Sequence, residues 1–88
     1  MPQLNFSPEA LAALDHFRAH DVTRATAHER ALDAIENGTG RARAIWVASK
    51  GVYLTGVPIA GRDDEDLIVW LLDEAGDAGI LHIGRAKL

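Results

Sequence analysis

Apolar residues recur at helical spacing through the first part of the chain and at strand spacing through the rest. Leu4-Asn5-Phe6 is a short run that predicts a strand, and it stops at Ser7-Pro8-Glu9-Ala10. Ser7 can cap a helix whose first residue is Pro8, because that position has no helical partner for an N–H. Leu11, Leu14 and Phe17 then fall on one helical face with Ala10, and Glu9, His16 and His20 lie opposite. The spacing predicts an amphipathic helix over 8–20. His20-Asp21-Val22-Thr23 breaks the pattern, with Thr23 as the expected cap of a second helix that runs to Gly38. Its apolar face carries Ala25, His28, Ala31, Leu32 and Ile35, and its polar face Glu29, Arg30, Asp33 and Glu36. Two such helices in succession can pack as a hairpin.

Beyond Gly38-Thr39-Gly40 the texture changes. The runs RARAIWVAS, VYLTGV, LIVWLL and ILHIG are rich in Val, Ile, Leu and aromatics and are separated by turn formers. They predict an antiparallel sheet of three to four strands, with breaks at Lys50-Gly51, at GRDDED and at DEAGDAG. Pro58 has no N–H for a ladder, so its strand ends there or lies at an edge. LIVWLL is apolar at every position, as in a central strand covered on both faces. The expected fold class is α+β: a short N-terminal strand, a two-helix hairpin and an antiparallel sheet, in one domain over 1–88.

Composition narrows the chemistry. The 88 residues are 48% hydrophobic and 25% charged, as in a folded globular chain. With no cysteine there can be no disulfide, zinc-thiolate site or cysteine nucleophile. No apolar run approaches the roughly 20 residues of a spanning helix, and a cytoplasmic protein without a membrane partner is expected. The net charge of −4 excludes a grip on nucleic acid through overall charge and leaves room only for a local basic patch.

The densest candidate site is the terminal ILHIGRAKL, which places His82, Arg85 and Lys87 within six residues. Strict alternation would set Leu81, Ile83 and Arg85 on one face of the strand, and Ile80, His82 and Gly84 on the other. His82 can act as a general base, or can bond a carbonyl as a half-buried strand histidine. Elsewhere the plain structural reading wins. His28 is a packing residue, His16 and His20 share a spacing suited to one metal but lack a third ligand, and Asp63 to Asp66 form a charged loop tip. Gly38-Thr39-Gly40 is a helix stop, Ser7 and Ser49 lack an adjacent base, and Trp46, Tyr53 and Trp70 are core aromatics of strands.

Taken together, FSPEALAALD after a short strand, two helices, and a meander ending in LIVWLLDEAGDAGILHIGRAKL resemble the RelE/ParE superfamily of toxins, the BrnT-like branch included. The resemblance implies the toxin of a bacterial type II toxin–antitoxin pair. Such a toxin is a ribosome-dependent mRNA endonuclease or an inhibitor of DNA gyrase, and is neutralised by a cognate antitoxin. Arg85 matches the basic residue after the last strand of the family, Lys87 a further cation, and His82 lies in the strand before them. In a cleaving member such cations stabilise charge on the scissile phosphate while a base takes the 2′-hydroxyl proton, and neither metal nor cofactor is implied. Arg62, in the GRDDED turn, is the fourth cation assigned to this candidate site. LIVWLL holds no arginine where many family nucleases place one, and no aromatic follows Arg85 and Lys87. The alternatives are a non-catalytic binding module of the same fold, such as a gyrase-inhibitor-like or phage accessory protein, and a homo-oligomer paired through its strand edge.

Overall fold

Ser7 is where the chain turns from strand to helix. Its backbone is extended, and its Oγ accepts the Ala10 N–H at 3.1 Å while donating to the Leu81 carbonyl at 3.0 Å. One hydroxyl thus satisfies an orphan helix donor and ties the helix start to the last strand. In the computed structural model, which describes residues 3–85, β1 (Leu4–Phe6) precedes this cap and α1 (Pro8–His20) follows it. The boundaries of α1 are those its sequence predicts. Ala10, Leu14 and Phe17 are buried, whereas Leu11 lies further round the helix and is exposed.

The second helix, α2 (Val22–Glu36), starts earlier than Thr23 would allow. Asp21 is the one residue between the helices and serves both. Its N–H bonds the Phe17 carbonyl at 2.7 Å to close α1, and its carboxylate accepts the Arg24 N–H at 3.3 Å to open α2. A carboxylate one residue after α1 therefore takes the capping role from Thr23. Ala25, His28, Leu32 and Ile35 are buried as the pattern requires. Gly38 then adopts φ +82°, a left-handed terminus that glycine reaches without strain.

A 3-10 turn (Gly40–Arg43) occupies the start of the first expected strand, so β2 is only Ile45–Val47. Strands β3 (Val52–Pro58), β4 (Glu65–Leu72) and β5 (Ala78–Arg85) complete a five-stranded sheet in the order β1-β5-β4-β3-β2. The meander is antiparallel, and the expected N-terminal strand, β1, joins it parallel to β5, so the sheet is mixed. Pro58 ends β3, as its missing donor demands.

Both helices pack on one face, where Val57, Ile68, Trp70, Ala78, Ile80 and Ile83 meet Ala10, Leu14, Phe17, Leu32 and Ile35. Trp70 stacks on Tyr53 with ring centres 4.7 Å apart and donates its indole N–H to Thr55 Oγ1 at 2.9 Å. β4 is central, but only one of its faces is covered. Leu67, Val69 and Leu71 on the other face are half-buried by their neighbours in the sheet. A bulge interrupts the β4–β5 register: Val69 faces His82 and Trp70 faces Ile80, leaving Leu81 unpaired. That extra residue moves Ile80 to the helix side with Ile83, where strict alternation would have put it with His82.

Candidate functional site

The end of the sheet formed by the start of β4 and the close of β5 gathers most of the buried charge. Arg24 and His28, one turn apart on α2, both reach Asp66 in β4. Arg24 bonds Asp66 through Nε and also through Nη2 at 3.0 Å, and His28 Nε2 lies 2.7 Å from Asp66 Oδ2. Asp66 and His28 are almost wholly buried, and the Arg24 side chain is 21% exposed. Phe17 seats the group from α1. The Arg24 guanidinium lies 4.1 Å above its ring centre, and the His28 ring is 5.3 Å from it. This is a charge-assisted, two-pronged bond stacked on an aromatic, an arrangement that arginine forms and lysine does not.

Burial is the largest influence on the Asp66 carboxyl and pushes it up, but the bonds from Arg24 and His28 together outweigh it and hold the group below the usual carboxylate range. Burial likewise dominates at His28 and lowers it. The bond and charge of Asp66 oppose that shift only in part, and the charges of Arg24 and His82 add to it. His28 is therefore neutral at pH 7. Because a carboxylate only accepts, Nε2 carries the hydrogen, and Nδ1 is left as a buried lone pair with no partner among the described residues.

The sequence-assigned cations fall around this core without converging. Arg62 forks onto Asp21, with Nη2–Oδ1 at 2.8 Å and Nη1–Oδ2 at 2.7 Å, so the helix junction holds its guanidinium. Arg85 sits opposite Asp66 in the β4–β5 register, and its exposed head lies 3.6 Å from Asp64. Lys87 lies outside the described residues. His82 points to the uncovered face, in a row that runs Ile45, Leu54, Val69, His82 across four strands. It is half-buried, and its Nε2 is 2.9 Å from the Arg85 carbonyl. A carbonyl oxygen can only accept, so His82 donates to it from Nε2, and Nδ1 has no hydrogen-bond partner among the described residues.

Asp66 is the residue that sequence reasoning missed, because four consecutive acids read as a solvated loop. Its signal was spacing: Asp66, Ile68 and Trp70 alternate onto one face. His16 and His20 have ring centres 4.7 Å apart, and no three metal-ligating side chains gather among the described residues. Between α2 and β3 there is also a cleft of about 620 Å³, lined by small residues such as Ala27, Ala31 and Gly56 and by Arg30 and Arg43.

No family model matches the chain, and no curated protein matches it significantly. Solved structures do. The chain is similar to a YoeB-YefM complex from Staphylococcus aureus, with 15% identity and a TM-score of 0.72 over 99% of both chains. A heterotetrameric YoeB-YefM toxin-antitoxin complex from the same organism gives 16% identity and a TM-score of 0.71 over 99% of both. A YoeB dimer, again from S. aureus, gives 16% and 0.69 over 98% of both. At such identities the likeness establishes the fold: the chain has the RelE/ParE-like fold, of which YoeB is an example.

Proposed function

We propose that the chain is the toxin of a type II toxin–antitoxin pair, held inactive by a cognate antitoxin and acting on RNA in the cytoplasm as a metal-independent, ribosome-dependent endoribonuclease. The observation that carries this reading is the match to YoeB structures over nearly the whole of both chains. Two of the three structures are complexes with YefM and one is a dimer, which supports an antitoxin as partner and self-association as a further state.

Cleavage in this scheme needs a base for the 2′-hydroxyl proton and cations for the developing charge on phosphate. His82 Nδ1 serves as the base, its tautomer set by the Arg85 carbonyl. Arg85, whose head is exposed at this end, and Lys87 two positions on contact phosphate. Arg62 reaches the same end from the turn before β4 and joins them on release from Asp21.

A second reading, a non-catalytic binder of the same fold, is favoured by one observation: Arg62 and Arg85 are both paired with carboxylates. Growth after induced expression separates the two when wild type is compared with Arg85→Ala/Lys87→Ala at matched soluble levels. The RNA-cleaving reading expects arrest by wild type, relief in the double variant, and new 5′ ends on cellular mRNA by primer extension. Arrest by both proteins without new ends supports inhibition of another target such as gyrase. Absence of arrest by wild type overturns the toxin reading.

A further inference from the structure

The cations of this chain sort into two groups. Arg18, Arg24, Arg62 and Arg85 each pair with at least one carboxylate. Arg30, Arg41, Arg43 and Lys50 are exposed and have no ion pair among the described residues. The unpaired group is clustered in sequence, and positions 37–62 contain no Asp or Glu at all. A chain with a net charge of −4 thus keeps one carboxylate-free stretch, which folds as the 3-10 turn, β2 and β3.

The same stretch carries the exposed aromatic surface. Trp46, on the edge strand β2, is 53% exposed although it belongs to a ladder of rings. Its ring centre is 4.7 Å from Tyr53, which in turn lies 4.7 Å from buried Trp70. Arg41 meets the middle ring, with its guanidinium 5.8 Å from the Tyr53 ring centre and its Nε donating to Tyr53 Oη at 3.1 Å. Arg43 follows two residues later and lines the α2–β3 cleft together with Arg30. Core packing accounts for Trp70 and Tyr53, but it does not account for a half-open tryptophan next to a tyrosine that carries a guanidinium without an ion pair among the described residues. An aromatic face held by neighbouring rings beside a carboxylate-free cationic surface is what stacking a base and tracking its phosphates requires.

We propose that Trp46 and Tyr53, with Arg41 on the Tyr53 ring, Arg43 two residues before β2 and Lys50 at the β2–β3 turn, form a binding site for single-stranded nucleic acid, separate from the C-terminal end of the sheet. A base stacks on Trp46 and the cations meet the flanking phosphates. The site stands without the cleavage reading, since it needs neither His82 nor Arg85.

The test uses the full chain and fluorescein-labelled single-stranded RNA ten-mers of U or A, with binding read by polarisation across a salt series. Wild type is expected to bind in the range of about 10⁻⁴ to 10⁻⁶ M, to weaken steeply with salt, and to show quenched tryptophan emission. Trp46→Ala should weaken binding by about fivefold or more and remove the quench, and Arg43→Glu should weaken it by a comparable factor and flatten the salt slope. Arg18→Glu makes the same change in net charge on a cation that is already paired, and should leave affinity within about twofold. Circular dichroism of each variant confirms that the exposed substitutions leave the fold intact. The proposal is overturned if wild type does not bind, if Arg18→Glu weakens binding as much as Arg43→Glu, or if Trp46→Ala binds unchanged. It is also overturned if poly-glutamate displaces the RNA at equal charge concentration, which would make the surface a site for an acidic peptide. The growth assay can fail while this binding holds, and the reverse.

Discussion

Replacing Asp66 with alanine tests how the site end of the sheet is held. The substitution removes the acceptor of both Arg24 bonds and of the His28 bond at one stroke. Deleting one partner of a buried ion pair costs about 3–5 kcal/mol, mostly because the remaining charge is stranded. Arg24 keeps 21% of its side chain in solvent and can turn its head outward, which puts the expected loss near the lower end, about 3 kcal/mol. An 88-residue domain has a total stability of roughly 4–13 kcal/mol, so the loss is a large share of it. At about 4–8 °C per kcal/mol the melting temperature should fall by about 12–24 °C, and the urea midpoint by about 1–3 M at unchanged slope. Far-UV circular dichroism in urea measures this, with Asp64→Ala, the exposed partner of Arg85, expected within about 0.5 kcal/mol of wild type. The combined Arg24→Met/His28→Leu/Asp66→Leu variant should recover most of the loss, because apolar groups of similar volume leave no buried charge behind. A loss below about 1 kcal/mol in Asp66→Ala would refute the view that this triad joins α2 to β4.

Acid should destabilise the fold in two steps. The His28 pKa is lowered in the folded state, so its contribution is present above its unfolded value of about 6.5 and is lost as pH falls below it; Asp66, also lowered, adds a second loss as pH falls from about 4 through its folded pKa. Urea midpoints at pH 7.5 and 5.5 should differ in wild type, and the difference should shrink in His28→Leu. Gly84→Ala should cost about 1–3 kcal/mol by the same assay. Gly84 has φ +134°, a conformation other residues enter only under strain, while a Cβ there would make only ordinary contact with Phe17 at 3.9 Å. Trp70→Phe should lower stability by about 1–3 kcal/mol, since it removes the indole donor to buried Thr55 and leaves space in the core.

The helices were legible in the sequence because their signals are local. Ser7-Pro8 marks the start of α1 through one hydroxyl and one ring, and Gly38 marks the end of α2 through a backbone only glycine adopts readily. Thr23 misled because Asp21, two residues earlier, could end one helix and begin the next, a double role that spacing does not reveal. In the sheet, alternation named the apolar face but could not foresee the unpaired Leu81, and one bulge was enough to move Ile80 across. The charged site was the least legible. A solvated acid and a buried acid look alike in a run of four, and what distinguishes Asp66 is two partners 42 and 38 positions away. Arg62 and Arg85 were named as cations, but the acids that hold them became visible only in three dimensions.

The pairing of β1 with β5 sets an order of assembly. Leu4 meets Ala78 across 74 intervening bonds of sequence, whereas the helix hairpin and the β3–β4–β5 meander close over short loops. The helices and the meander can therefore form while the first strand still waits, and β1 docks only when β5 has been made and placed. The strand it waits for is the one that carries His82 and Arg85. The charged end, which β4 and β5 build between them, is therefore made with the meander, and the docking of β1 is left as the step that completes the sheet at its far edge.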